Sequence, residues 1–196
     1  MTSSLNVKIR SLTMAGHSLM SDLKFDIEPG QVFSLMGPSG SGKSSLLAYI
    51  GGFMPASQKV DGSLMLGAQD LSAIPAENRG VGLMFQDSLL FPHMSVAANL
   101  MFGMPRAMSR ADKRQRAEQA LADAGLAGFA DRDPATLSGG QKARVALMRA
   151  LVAEPKALLL DEPFSKLDQQ LRASVREFVF STVKAKGIPT LLVTHD

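Results

Sequence analysis

One glycine-rich stretch constrains the fold of this chain more than any other feature. Residues 37–44 read Gly-Pro-Ser-Gly-Ser-Gly-Lys-Ser, which matches the pattern G-x-x-x-x-G-K-[ST]. The residues before it, QVFSLMG at 31–37, are almost wholly apolar and predict a buried strand. The residues after it, SSLLAYIGG at 44–52, have helical spacing and a Gly-Gly stop. A strand, a glycine loop and a helix in this order predict a phosphate-binding loop.

The residue types in this loop suit a nucleoside triphosphate. Glycines let backbone N–H groups converge on phosphates, and the helix that follows presents its positive end. We expect Lys43 to reach the β- and γ-phosphates and Ser44 to supply a hydroxyl to Mg²⁺. The alternative is a glycine turn before a helix, which the flanking strand and helix make less favourable. The candidate nucleotide-binding residues are Gly37, Pro38, Ser39, Gly40, Ser41, Gly42, Lys43, Ser44 and Ser45.

A second apolar run, KALLLDEP at 156–163, predicts a buried strand that ends in two acids. A phosphate loop needs an acid at a neighbouring strand end to hold Mg²⁺ through water, and Asp161 supplies one. Glu162 can orient and deprotonate an attacking water beside the γ-phosphate. Alone, a glutamate before a proline at a strand end is more often a solvated residue. The phosphate loop is what favours catalysis by Glu162.

Two further polar residues end predicted strands. His195 follows the last strand in TLLVTHD, and Gln86 ends an earlier one in MFQD. Parallel strands present their carboxyl ends at one edge of a sheet, where ligands bind. We expect His195 to donate a hydrogen bond to the γ-phosphate, and Gln86 to contact Mg²⁺ or the attacking water. The alternatives are a packing histidine and an ordinary surface glutamine; His17 and His93 have no comparable support.

The segment LSGGQ at 137–141 is a second candidate phosphate site, at the start of a helix. Because one nucleotide needs only one phosphate loop, we expect this segment to bind the nucleotide of another copy of the chain. A head-to-tail pair with two-fold symmetry would then enclose two ATP molecules. The positive end of the helix would add to the attraction. The alternative is a simple helix cap. The residues assigned to the partner's nucleotide are Ser138, Gly139, Gly140 and Gln141.

The remaining patterns place this site in an α/β fold. LNVKIRSL and SDLKFDIE alternate apolar and polar residues, as in an antiparallel sheet with one wet face. Residues 87–136 turn helical, with Ser109 and Asp112 as a capping pair. Strands and helices then alternate, which predicts a parallel core. The predicted fold is a RecA-like P-loop NTPase, with an N-terminal antiparallel β subdomain and an inserted helical subdomain.

We expect one domain over 1–196. The nucleotide-binding core with its β subdomain is predicted at 1–86 and 144–196, and the helical subdomain at 87–143.

Composition excludes several classes of protein. The net charge of +3 comes from mixed basic and acidic residues, which argues against a nucleic-acid partner. There are no cysteines, so disulfides and thiolate metal sites are excluded. The N-terminus lacks the apolar region of a secretory signal, and no run approaches the roughly 18 apolar residues of a membrane span. Action at a membrane would therefore require a partner.

Together these motifs resemble the ATP-binding subunits of ABC transporters. They occur in the family's order as GPSGSGKSS (Walker A), MFQD (Q-loop), LSGGQ (signature), ALLLDEP (Walker B), SKLD (D-loop) and THD (H-loop). The sequences around the Q-loop and the signature resemble those of the importer branch, whose members take up thiamine, ferric iron, polyamines, sugars or small anions. The motifs do not specify which solute is carried.

The resemblance implies partners as well as chemistry. It implies ATP hydrolysis with Mg²⁺, a homodimer in which Asp168 lies near the contact, and a transmembrane permease onto which DSLLFPHMSVAANL docks. It further implies a solute-binding protein and a peripheral location at the cytoplasmic face of the inner membrane. The rival hypothesis is a soluble ABC ATPase that acts on nucleic acid or ribosomes, discriminated by which partner is captured.

The chain departs from the family pattern at three places. The family has an aromatic residue that stacks on adenine in the N-terminal loop, whereas SLTMAGHSLMSD offers only Met14 or His17. Lys166 stands in the D-loop where a small or polar residue is commoner, and Met148 stands where many relatives have alanine.

The last predicted strand lacks a covering helix, so we expect the natural chain to continue past Asp196 or a partner to cover this face.

Overall fold

A computed structural model describes residues 3–165 and 167–195. The strands are β1 (Leu5–Met14), β2 (His17–Ile27), β3 (Val32–Met36), β4 (Gln58–Leu66), β5 (Gln69–Asp70), β6 (Val81–Met84), β7 (Ala157–Asp161) and β8 (Thr190–Thr194). The helices are α1 (Lys43–Gly51), α2 (Val96–Phe102), α3 (Arg110–Asp123), α4 (Gly139–Leu151) and α5 (Gln169–Lys186). Short 3₁₀ turns occupy Ala76–Asn78 and Pro134–Thr136.

The chain divides into two compact units. The first contains the described residues of Met1–Leu83, Lys156–Glu162 and Thr182–Asp196. The second contains Met84–Pro155 and Pro163–Ser181. This division reflects where contacts concentrate; the functional boundaries at 87 and 143 stay a prediction.

An antiparallel sheet in the first unit has the order β2-β1-β4-β5. In β1, Leu5, Val7 and Ile9 are buried, whereas the residues between them are partly or wholly exposed. Val7 pairs with Phe25 of β2 and with Leu64 of β4, so inward-facing side chains of three strands share one face. The predicted antiparallel β subdomain with one wet face is confirmed.

A second sheet has the order β3-β8-β7-β6, and both β3 and β7 pair with β8 in parallel. The parallel α/β core is therefore confirmed. The first four residues of β7 and of β8 are buried, as expected for central strands covered on both faces. The prediction that β3 is buried is wrong in part: Ser34 is exposed and Met36 is 62% exposed. β3 is one of the two edge strands of this sheet, so it has a neighbouring strand on one side only.

The core of the first unit joins both sheets and α1. Leu46, Leu47 and Ile50 of α1 are buried in the same cluster as residues of β7 and β8. Phe25 and Phe33 stack with their ring centroids 4.6 Å apart. α1 ends at Gly51 and is followed by its C-cap Gly52, whose φ of 84° is left-handed, so the predicted Gly-Gly stop is confirmed.

The second unit is mainly helical. The Oγ of Ser109 accepts from the backbone N–H of Asp112 at 3.1 Å, which confirms the predicted capping pair at the start of α3. The apolar face of α3 is buried at Ala117, Ala120 and Leu121. Among the described residues, no helix combines the length and apolar character that crossing a membrane requires.

Candidate active site

The glycine loop connects β3 to α1 through two left-handed residues. Gly40 and Gly42 have φ of 82° and 87°, values that residues with a Cβ rarely adopt. Gly42 is the N-cap of α1 and provides no side-chain hydrogen bond. Helices α2, α3 and α4 instead begin at serines whose hydroxyls accept from the first turn. The first turn of α1 thus suits an external anion as its cap.

The ammonium of Lys43 lies within this loop. The side chain is buried, and Nζ donates to the carbonyl oxygens of Gly37 and Pro38, each at 2.7 Å. A buried ammonium requires such oxygen partners because desolvation disfavours its charge. The loop therefore holds a positive charge at its centre.

A cavity of about 270 Å³ lies beside the loop, within the first unit. It brings together the loop, the first turn of α1 and the two acids that follow β7. Ser44, Asp161 and Glu162 all line it, as the sequence predicts for one site. The full lining is Met14, Leu19, Ser39, Gly40, Gly42, Lys43, Ser44, Ser45, Asp161 and Glu162.

The acids in this cavity favour a cation. Burial raises the pKa of Asp161 above its ordinary value of 3.8, and the charge of Glu162 raises it further, while Lys43 lowers it. In the protein alone, the ionised form of the Asp161 carboxyl is therefore disfavoured. A hydroxyl from Ser44 and a carboxylate from Asp161 are oxygen donors of the kind that Mg²⁺ prefers.

Glu162 and His195 are in direct contact. The Nδ1 of His195 lies 3.0 Å from the Oε1 of Glu162, at the carboxyl ends of adjacent parallel strands. Glu162 has a φ of 45°, which is uncommon for a residue with a side chain, and its N–H donates to the Val193 carbonyl at 2.9 Å. This backbone conformation and that hydrogen bond hold the carboxylate at the cavity while its side chain is only 19% exposed.

The other predicted site residues belong to the second unit. Gln86 is exposed, and its Nε2 donates to Ser165 Oγ at 3.2 Å. Asp168 lies just before α5, where its Oδ1 accepts from the Leu171 N–H at 3.0 Å. In this chain alone Asp168 therefore caps a helix, and its role in a dimer stays a prediction.

The signature segment forms a capping box at the start of α4. The Gln141 N–H donates to Ser138 Oγ at 3.4 Å, and the Ser138 N–H donates to Gln141 Oε1 at 2.9 Å. The helix-cap alternative is thus realised in the single chain. It is compatible with phosphate binding, because a serine hydroxyl that accepts one hydrogen bond can still donate another. At Gly140, a Cβ would lie 2.7 Å from Leu171, so this position requires glycine or a shift of that side chain.

Several polar residues that support these segments were not predicted from the sequence. Gln58 of β4 hydrogen-bonds Ser45 of the loop helix. Asn99 is fully buried in α2, and Arg149 of α4 donates to the Ser88 and Leu89 carbonyls at 3.1 and 2.8 Å. A lone asparagine in the apolar run VAANLMF is the signal that indicates a buried amide; Gln58 has no comparable signal. Nothing in the structure explains Met148, and Lys166 and Asp196 lie outside the described residues.

Comparison with known proteins identifies relatives. The family described as ABC transporter matches residues 20–165. The chain is 46% identical over 192 residues to the uncharacterized ABC transporter ATP-binding protein YnjD of Escherichia coli (strain K12), covering 98% of this chain and 88% of the relative.

Two further relatives are named for import. The chain is 44% identical over 176 residues to the Fe(3+) ions import ATP-binding protein FbpC 1 of Rhizobium meliloti (strain 1021), covering 89% of this chain and 49% of the relative. It is 43% identical over 178 residues to the sulfate/thiosulfate import ATP-binding protein CysA 2 of Agrobacterium fabrum (strain C58 / ATCC 33970), covering 89% of this chain and 51% of the relative. The chain spans about half the length of these two relatives.

Proposed function

The chain belongs to the ABC transporter family as an ATP-binding protein, and on that premise we propose that it hydrolyses ATP to power solute uptake through a separate membrane permease. One observation supports hydrolysis above all others. The cavity beside the phosphate loop is lined by Glu162, which His195 contacts at 3.0 Å. These contacts support the proposal that one site binds phosphate and positions a base.

The proposed chemistry is attack of water on the γ-phosphorus. Glu162 accepts a proton from the attacking water while the water oxygen bonds to the γ-phosphorus. The bond between the γ-phosphorus and the oxygen that bridges it to the β-phosphate breaks. The products are ADP and inorganic phosphate. Lys43 and His195 stabilise charge on the γ-phosphoryl oxygens, and N–H groups of the glycine loop bind the phosphates.

The donor set fits Mg²⁺, which would neutralise charge on the β- and γ-phosphates. Ser44 would bind it through its hydroxyl and Asp161 through water, and Gln86 would contact it or the attacking water. The raised pKa of Asp161 supports this assignment, since a cation would remove the repulsion between its carboxylate and Glu162.

We assign the signature segment to a second copy of the chain. Ser138, Gly139 and Gly140 of one copy would bind the γ-phosphate held by the other copy, with Gln141 in the first turn of the same helix. The capping box supports this role because it orders the segment before any partner arrives. Asp168 would lie near the dimer contact. Loss of the γ-phosphate would remove a contact shared by both copies and let them separate.

The names of several relatives support the partners proposed outside the dimer. Several of the matched relatives are named for import of ferric ions, sulfate or thiosulfate, and spermidine or putrescine. We therefore propose import, a transmembrane permease, a solute-binding protein, and a peripheral position at the cytoplasmic face of the inner membrane. The cargo would be selected by the permease and the binding protein.

Replacement of the proposed base tests this function. Glu162→Gln should bind ATP, hydrolyse it at least about 100-fold more slowly, and accumulate as a closed dimer, because the amide cannot accept the water proton. Turnover by phosphate release and dimer content by light scattering would be measured. Glu177→Gln, an exposed glutamate of α5, is the matched control and should keep full activity. Full turnover by Glu162→Gln would contradict the assignment.

A further inference from the structure

Arg149 joins the helix α4 to the residues that follow Gln86. Its Nη1 donates to the Leu89 carbonyl at 2.8 Å, and its Nη2 donates to the Ser88 carbonyl at 3.1 Å. The guanidinium also lies over the Phe91 ring, 5.4 Å from the ring centroid. One side chain of α4 therefore contacts three residues of this turn.

The surroundings of Arg149 are unfavourable for a charge. The residue is half-buried, and burial lowers the pKa of its guanidinium. Among the residues that the structure describes, its partners are two carbonyls and a ring, not a carboxylate. Neutral carbonyls offset the cost of burying a cation only in part. The arrangement therefore indicates that the position of these carbonyls matters to the protein.

The backbone at Leu89 is strained. Its φ of 41° lies in the left-handed region, which a leucine rarely adopts, and its side chain is 55% exposed. Both features are unfavourable for folding. Such conformations persist only where the surrounding structure holds them, and they concentrate at functional sites. The hydrogen bond from Arg149 to the Leu89 carbonyl is one contact that holds this conformation.

The opposite end of α4 carries the signature serine. The helix runs without a break over Gly139–Leu151, and Ser138 is its N-cap within the capping box. Its backbone is packed closely at the other end, because a Cβ at Gly103 would lie 3.0 Å from the Arg149 carbonyl oxygen. A capped and packed helix transmits displacement as a rigid element. Ser138 and the turn that Arg149 contacts are therefore attached to one body.

Residues of both segments line one cavity of about 440 Å³ in the second unit. Gln86, Ser88 and Leu89 line it together with Gly139 of the first turn of α4. Gln86 precedes Ser88 by only two residues, so a shift of the Ser88 carbonyl displaces a short stretch of backbone that includes Gln86. The placement of Gln86 relative to α4 thus depends on the contact made by Arg149.

We propose that Arg149 is a positioning residue for ATP turnover, which keeps Gln86 and Ser138 in a fixed mutual arrangement through α4. This rests on the function proposed above, in which Gln86 would contact Mg²⁺ or the attacking water of one nucleotide and Ser138 the γ-phosphate of the other. Engagement of Ser138 by the partner's nucleotide would then fix the position of Gln86 as well. Misplacement of such a group slows the chemical step, whereas binding by the phosphate loop of the first unit is unaffected.

Steady-state ATP turnover by the full chain tests the proposal, with kcat expressed per nucleotide-binding site counted by calorimetry. Arg149→Lys keeps the charge but lacks the planar fork that serves two carbonyls at once. It should lower kcat about three- to tenfold and leave KM and the ATP Kd within about twofold of wild type, since only positioning is lost. Arg149→Met should lower kcat further. If Arg149→Met fails to fold, Arg149→Lys decides.

Arg144 is the matched control on the same helix. Its Nη1 donates to the Ala124 carbonyl at 3.2 Å and its Nη2 to Ser174 Oγ at 3.1 Å, so it joins α4 to segments other than that of Gln86. Arg144→Lys should lower Tm as Arg149→Lys does but leave kcat unchanged. Equal losses of kcat in the two lysine variants, or an unchanged kcat in Arg149→Lys, would overturn the proposal.

Substitution of Leu89 separates positioning from a general loss of stability. Asparagine adopts the left-handed conformation more readily than leucine or alanine does. In the Arg149→Lys background, Leu89→Asn should restore kcat in part, whereas Leu89→Ala, which removes the same exposed side chain, should not. Equal kcat values for these two double variants would contradict the positioning role. Absence of ATP hydrolysis by the wild type would instead overturn the proposed function, and this inference with it.

Discussion

At the scale of single residues, the charge of Asp161 lowers the stability of the folded chain at neutral pH. Burial and the charge of Glu162 raise its pKa, so the folded chain holds this proton more tightly than the unfolded chain does. Proton binding by Asp161 stabilises the folded chain at pH values below the ordinary pKa of 3.8. This stabilisation is lost as pH rises through the raised pKa. At neutral pH the ionised Asp161 therefore destabilises the protein without nucleotide.

Asp161→Asn should accordingly raise Tm at pH 7 in the absence of nucleotide and metal, because the neutral amide removes the repulsion. Each 1 kcal/mol gained corresponds to about 2–4 °C in a chain of this size. The advantage should shrink as pH falls toward 3.8, and the variant should lose ATP hydrolysis. Thermal denaturation with a chelator at a series of pH values measures this. A lower Tm than wild type at pH 7 would contradict it.

Which residues lie together could be predicted from the sequence where chemistry and spacing coincide. The phosphate loop, Asp161 and Glu162 occur in patterns that imply ligands, and the structure gathers them around one cavity. The roles of Gln58 and Arg79 depend instead on contacts between residues far apart in the chain, such as Arg79 Nη1 with the Tyr49 carbonyl at 2.6 Å. No local pattern encodes such a contact.

At the scale of elements, Arg79 closes the C-terminal end of α1. Its side chain is 6% exposed, and it donates to the Tyr49, Ile50 and Ile74 carbonyls at 2.6, 2.9 and 2.7 Å. The carbonyls at the end of a helix have no partner within the helix, so this guanidinium satisfies two of them. The helix that carries the phosphate loop is thereby fixed at its far end.

Arg79→Ala should cost about 2–4 kcal/mol of unfolding free energy, because it leaves buried carbonyls unsatisfied. Arg10→Ala provides the comparison, since Arg10 bridges Asp61 with both side chains largely exposed and should cost under about 1 kcal/mol. Urea denaturation measures both. Equal losses in the two variants would contradict the capping role.

Asn99 plays a similar part in the second unit. It accepts from the Phe91 N–H at 2.8 Å and donates to the carbonyls of Phe91, Met94 and Ser95. One buried amide therefore organises residues 91–95, within the segment expected to dock on a permease.

Asn99→Ala should destabilise the protein by about 1–3 kcal/mol and accelerate hydrogen exchange at residues 91–95, because their backbone groups lose a buried partner. Hydrogen exchange measured by mass spectrometry would detect this. Asn78→Ala, at an exposed position, should leave exchange in this segment unchanged. Unaltered exchange in Asn99→Ala would show that other contacts order the segment.

The elements themselves were largely predictable, because hydrophobic periodicity is local. Alternation in β1 and β2 and helical spacing in α3 correspond to the observed burial. The misjudged strand is β3, whose apolar sequence indicates a central strand although it lies at the sheet edge. Strand order depends on pairing between distant segments such as β3 and β8, which an apolar run does not specify.

At the scale of the whole molecule, the two candidate phosphate sites belong to different compact units. Lys43 and its cavity lie in the first unit, and Ser138 with its capping box lies in the second. The motifs predict both sites from sequence, but a single chain contains no information about which copy completes which site. The central claim is that each reaction centre takes its phosphate loop from one copy and its signature serine from the other.

Mixing two inactive variants tests this claim most directly. Lys43→Ala and Ser138→Ala would be combined in equal amounts, with subunit exchange followed by native mass spectrometry and ATP turnover by phosphate release. Each mixed dimer contains one intact centre, with Lys43 from one copy and Ser138 from the other, so turnover should recover to about a quarter of wild type when pairing is random. Mixed dimers that form but remain as inactive as the separate variants would contradict the shared centre.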